Sequence, residues 1–238
     1  MTLANEFGSF VKNARERQGM TQMGLAQATG FSLRWIQGVE SGIAPSVRGL
    51  NSLSEALRLS QWESGYLYLL VHRPPPVTIT SAPPADVSDY LESLNPNPAA
   101  FLTPAWTVIN ANSEFTRLFK GLWISPNFLY WHYIGRRTPE IILDWQSSSD
   151  WLMAWLRLNM ALTPDDPDLI ETIEKLLKIR AFVEQWESNV IPVDPSARQW
   201  TVRDVDNATV LNIDMRVWRA GLSSSIMLLG SIRERVLA

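Results

Sequence analysis

Residues 19–42, GMTQMGLAQATGFSLRWIQGVESG, constrain this chain more than any other stretch. They read as two short helices on either side of a tight turn. Thr21 is placed to cap the first, because a hydroxyl just before a helix accepts from a free backbone N–H of its opening turn. Leu25 and Ala26 give that helix a small apolar face. Gly30 follows, where a left-handed residue ends a helix without a Cβ penalty. Ser32 then caps a second helix, Leu33 to Glu40, with Ile36 and Val39 inward, and Gly42 stops it. Helix, glycine turn, helix is the pattern whose second helix enters the major groove of DNA.

The flanks extend this into a bundle. Phe7, Phe10, Val11 and Ala14 recur at helical spacing over residues 5–17. Residues 46–59 predict a fourth helix capped by Ser46, with Leu50, Leu53 and Leu57 inward. Residues 61–71 predict a fifth. Its Trp62, Tyr66, Leu69 and Leu70 exceed what a small bundle needs, so it is expected to pack on a partner or on the rest of the chain.

Arg15, Gly19, Thr21-Gln22, Leu25-Ala26, Gly30, Ser32, Ile36, Glu40, Gly42, Pro45, Leu50 and Leu53 keep one continuous register. On these residues the stretch from about Phe7 to about Ser60 resembles the Xre/Cro–repressor family of helix-turn-helix domains. The resemblance implies an all-α, lambda-repressor-like bundle and a double-stranded DNA operator as partner. It pairs Arg15 with Glu40 as a structural tie and sets Thr21, Gln22 and Arg48 against phosphates. Ser32, Leu33, Arg34 and Gln37 then face the groove, where Arg can bond guanine, Gln adenine, and Leu a thymine methyl. Trp35 either packs between helices or faces DNA. Gly24 and Gly38 depart from good helix formers, each at a cost of up to ~1 kcal/mol relative to Ala. A domain kept only for protein interaction is the alternative.

Composition narrows the class. The chain has 238 residues, 46% of them hydrophobic, with no cysteine and two histidines. Disulfides and thiol chemistry are excluded, and a zinc site is not expected. No apolar run approaches the ~20 residues of a membrane span, and the first residues lack a signal peptide's basic head and apolar run. A cytoplasmic protein with no membrane partner is expected. Residues 1–72 carry six Lys/Arg against five Asp/Glu, so the net charge of −3 lies mostly in the remainder. A DNA-binding part so weakly basic implies modest, salt-sensitive affinity, which a homodimer would raise.

RPPPVTITSAPP has five prolines in twelve residues and makes residues 73–85 an extended linker between parts 1–72 and 86–238. The second part predicts a short helix (VSDYLESL), then strand, turn, strand, and a helix capped by Asn112 or Ser113. Aromatic turns (LWISPNFLYWHYIG) and a long helical run follow. Strands at Trp200–Val205, Thr209–Val217 and Ser225–Ile232 close the chain. Two strands, a helical middle and three strands predict an α+β sheet with helices on one side. The opening is similar to a PAS-type domain. NPAAFLTPAWTVINANSEF, DWQ at Asp144–Gln146, Leu156-Arg157, TPDDPDL, Phe182, Trp186, and Trp200 to Leu229 together resemble the MmyB-like ligand-binding domain that follows an Xre helix-turn-helix in some regulators. Val202–Val205 stands where members of that family often carry His-Pro, so no role of that dipeptide carries over.

Nine of the eleven tryptophans lie after residue 100. Trp106, Phe115, Phe119, Trp131, Trp151, Trp155, Met160, Phe182, Trp200, Met215 and Trp218 form either a core or, as the PAS-like resemblance implies, an apolar pocket for a fatty-acid-like ligand. His132, Arg136, Arg137 and Arg157 are the candidate anchors for a carboxylate. No cofactor is expected beyond such a ligand. Asp165, Asp166 and Asp168 read as a helix start, since acids and proline suit a first turn. No nucleophile, His and acid cluster together, so the chain reads as a regulator and not an enzyme. The alternatives are a filled core that binds a protein partner, and a lipid-acting enzyme with a DNA-binding appendage.

Overall fold

The computed structural model describes residues 3–72, 86–188, 197–219 and 225–237. The linker expected at residues 73–85 lies outside them. Five helices build the first unit: α1 (Leu3–Arg17), α2 (Gln22–Thr29), α3 (Leu33–Glu40), α4 (Val47–Ala56) and α5 (Gln61–Val71). Four of them start on a hydroxyl. Thr21 accepts from the Gly24 N–H, Ser32 from Trp35, Ser46 from Gly49 and Ser60 from Glu63. Glu63 reaches back to the Ser60 N–H, completing a capping box. Such caps are worth about 1 kcal/mol each. Gly30 ends α2 at φ 73°, the left-handed conformation that its lack of Cβ allows. Phe7, Phe10, Leu25, Ile36, Leu50 and Leu53 are buried together as the core. The cross of α1 over α3 is tight enough that a Cβ at Gly8 would lie 2.4 Å from the Glu40 carbonyl oxygen.

The second unit is a five-stranded antiparallel sheet with a helical layer. Its strands are β1 (Ala99–Leu102), β2 (Val108–Ala111), β3 (Ala197–Asp204), β4 (Thr209–Arg219) and β5 (Ile226–Leu237), in the order β2-β1-β5-β4-β3. Trp200 pairs with Ile213 and Val202 with Leu211, all four buried. The helices are α6 (Val87–Ser93), α7 (Ser113–Leu118), α8 (Phe128–Ile134), α9 (Thr138–Ile141), α10 (Trp145–Leu162), α11 (Pro167–Leu176) and α12 (Arg180–Ser188). Asp166 caps α11 by accepting from the Leu169 N–H, with Pro167 in its first turn.

Two expectations need correction. Residues 128–134 are a helix, not turns. Helices also lie on both faces of the sheet. Val87 and Leu91 of α6 pack with Phe101, Met227 and Leu229, the outward residues of β1 and β5.

Both sheet edges are met by the chain itself. At β2 the Val108 N–H donates to the Pro126 carbonyl, beside a bridge between Thr107 and Asn127. At β3 the Leu143 N–H donates to the Thr201 carbonyl, and the Thr201 N–H donates to the Asp144 carboxylate.

Candidate functional site

The first candidate surface is the exposed side of α3. Its inward residues Ile36 and Val39 fix its orientation, which leaves Arg34 and Gln37 exposed and Leu33 half-buried. Ser32 and Thr21 are exposed, each oxygen accepting a cap hydrogen bond while its own proton stays available. Arg48 is exposed on α4, and neither it nor Arg34 makes an ion pair among the described residues. Trp35 belongs to the packing. It stacks on Phe31 at 4.0 Å, and a Cβ at Gly49 would come within 2.8 Å of its ring.

Arg15 and Glu40 form the expected tie. The Arg15 Nε donates to Glu40 Oε1 at 2.5 Å, and its Nη1 donates to the Met20 carbonyl at 2.7 Å. The hydrogen bond to Glu40, less the cost of burial, holds the guanidinium above its ordinary pKa. Gln22 joins the tie by donating to Glu40 Oε2 at 2.8 Å. Its amide nitrogen is thus partly engaged.

In the second unit the structure brings Trp106, Phe115, Phe119, Trp131 and Trp200 around Phe128, which sequence reasoning did not single out. Phe128 lies 5.3–6.2 Å from these five rings. Met215 is buried among the inward residues of β4, and Trp155 and Met160 lie along α10. The rings pack on one another as a core. Trp106 is held at φ 65°, a strained conformation for a bulky residue. His132 is buried, with Nε2 at 2.6 Å from Ser149 Oγ. Burial lowers its pKa to about 3, so it is neutral and offers no cation to a carboxylate.

Three expected pocket residues lie elsewhere. Trp218 is 55% exposed on the outer face of the sheet, because it is an odd number of residues from inward Met215 and Val217. Phe182 on α12 stacks on Trp186 and meets Tyr133 edge-on, away from Phe128. Arg157 is fully buried and engaged within the chain. Its guanidinium pairs with Glu6 of α1, donates to the Trp186 carbonyl, and lies 4.2 Å over the Trp186 ring.

A cavity of about 310 Å³ lies beside the aromatic core, between the turn after α7 and the end of α8. Trp131 forms its floor, held by an indole N–H that donates to the Lys120 carbonyl at 2.8 Å. Ile124, Tyr130 and Ile134 give it apolar walls, and Ile124 is 92% exposed. Lys120, Arg136 and Arg137 bring three cations to it. Lys120 pairs with Asp206 and Arg137 with Glu140 at 3.5 Å. Arg136 makes no ion pair among the described residues. Arg136 and Arg137 follow α8 directly and were named from the sequence as candidate anchors. The isoleucines were not, because their side of the segment shows no period.

Among the described residues no cluster of three or more His, Asp or Glu could hold a metal ion, and no helix is long and apolar enough to cross a membrane. A helix-turn-helix unit joined to an α+β unit is the build of a regulator that binds DNA and a small molecule. The comparisons agree. Residues 6–63 match the family described as a helix-turn-helix domain. Residues 83–224 match the MmyB-like transcription regulator ligand binding domain, and the chain belongs to that family. No curated protein matches it. The chain is thus built as a transcriptional regulator.

Proposed function

We propose that α3 reads an operator through Arg34 and Gln37, and that the cavity beside Trp131 takes an apolar molecule with an anionic head, of the fatty-acid class. The observation that carries the ligand reading is Arg136, a cation without an ion partner at the mouth of an apolar cavity. A carboxylate there would gain a charge-assisted hydrogen bond while its chain covers Ile124 and Ile134. Thr21, Gln22, Ser32 and Arg48 position the backbone of the DNA. Leu33 sits at the groove edge. A homodimer would set two recognition helices one DNA turn apart, ~34 Å.

Two experiments test this. Dodecanoate titrated into the purified chain, followed by native mass spectrometry, should bind one molecule per chain, and Arg136→Glu should weaken it at least tenfold. Equal binding by that variant would move the site away from this cavity. Selection from a random DNA pool should enrich one motif, and Arg34→Glu should lose it. A motif that persists would refute the groove assignment.

A further inference from the structure

Glu6–Arg157 is the most buried ion pair among the described residues and, among them, the only buried one that joins the two units. Glu6 lies on α1 of the DNA-binding unit and Arg157 on α10 of the ligand-binding unit. Their side chains are 2% and 0% exposed. The Tyr66 hydroxyl of α5 donates to the same Glu6 oxygen at 3.1 Å. On the other side α12 supplies the Trp186 carbonyl and ring to Arg157. At the rim the Asn13 side chain donates to the Glu187 carbonyl at 3.4 Å. The joint therefore gathers α1 and α5 from one unit and α10 and α12 from the other. It leaves Arg34 and Gln37 of α3 exposed.

The network is only partly satisfied. Glu6 Oε2, Arg157 Nε and Trp186 Nε1 are buried with no hydrogen-bond partner among the described residues. A buried pair returns most of its attraction as desolvation, so it sets register more than it adds strength. Separation of the units would hydrate both charges and all three unpartnered atoms. Such a joint specifies one docked arrangement while adding less stability than its attraction alone would give.

We propose that Glu6–Arg157 is a releasable joint that sets where the DNA-binding unit sits on the ligand-binding unit. Its link to the cavity rests on the ligand reading above. That link runs through α8 and α12. Tyr133 of α8 donates to Gln185 at 2.6 Å and meets Phe182 edge-on, Phe182 stacks on Trp186, and Trp186 carries Arg157. A ligand against Trp131 and Ile134, the neighbours of Tyr133 on α8, would bias the joint only by favouring one setting of this stack.

The absence of cysteine gives a clean test. Asn13→Cys with Glu187→Cys in the full chain puts the only two thiols across the rim of the joint. A short bismaleimide should link them within one chain. Adding Glu6→Gln or Arg157→Met should slow that link at least tenfold, while circular dichroism stays that of the folded protein. Joining Glu6→Leu to Arg157→Met restores an uncharged, matched pair and should restore the link. Equal linking in both single variants, or no recovery in the apolar pair, would overturn the joint. Dodecanoate forms a separate arm. A changed linking rate supports the route to the cavity. An unchanged rate in a chain that binds dodecanoate overturns that route and leaves the joint standing, and failure to bind at all overturns the ligand reading alone.

Discussion

At the scale of single residues, His132 makes the sharpest forecast. It is buried and neutral, with its pKa lowered to about 3 by desolvation, against 6.5 in the open chain. Below pH 6.5 the unfolded chain takes up a proton that the folded chain refuses. Stability from this site is therefore complete above pH 6.5 and is lost as pH falls toward 3. Between pH 7.5 and 5 the loss is about 2 kcal/mol. Urea denaturation at the two pH values measures it, and His132→Gln should flatten the slope. Asp204 acts lower on the scale. Burial pushes its carboxyl up, but Arg117 at 2.6 Å and Asn207 outweigh that and hold it well below the usual carboxylate range. Its contribution is present above about pH 4 and goes only in strong acid, so the two losses are separable in one titration.

At the scale of elements, Asn112 is the bracket of the second unit. Its oxygen accepts from the N–H groups of Ala99 and Phe115, and its nitrogen donates to the carbonyls of Leu91 and Asn97. One side chain thereby ties α6, β1 and the start of α7. Asn112→Ala removes all four hydrogen bonds, leaves the buried Ala99 and Phe115 N–H groups without these acceptors, and should cost about 3 kcal/mol, measured by urea denaturation. Its capping role was legible in the sequence, as were Thr21, Ser32, Ser46 and Asp166, because a cap is decided within a few residues. Helix α8 was not. Phe128, Leu129, Trp131 and His132 are all buried, so its sequence shows neither a helical nor a strand period. Trp218 was misplaced for the opposite reason. Strand alternation sets it on the face away from Met215, a parity that its spacing from Met215 already carried. The partner of Arg157 lies 151 residues away, beyond any local signal.

At the scale of the whole molecule, the units melt together only as long as their joint holds. Glu6→Gln leaves the Arg157 charge buried without its counter-ion, a loss of roughly 3–5 kcal/mol for a group that stays docked. Calorimetry should therefore show one transition in the native chain and two in the variant, the five-helix unit separating from the sheet unit. A single unshifted transition would refute this. The sheet itself sets a further rule, through the short bridges that meet β2 and β3. Those contacts occupy backbone groups that an open edge would offer to a neighbour. Where the bridges lie, a second copy would find those backbone groups already paired. A second copy docking over those stretches would do so through side chains. Such docking would have the character of reversible surface contact, adjustable by substitution, and not the self-templating growth of strand on strand.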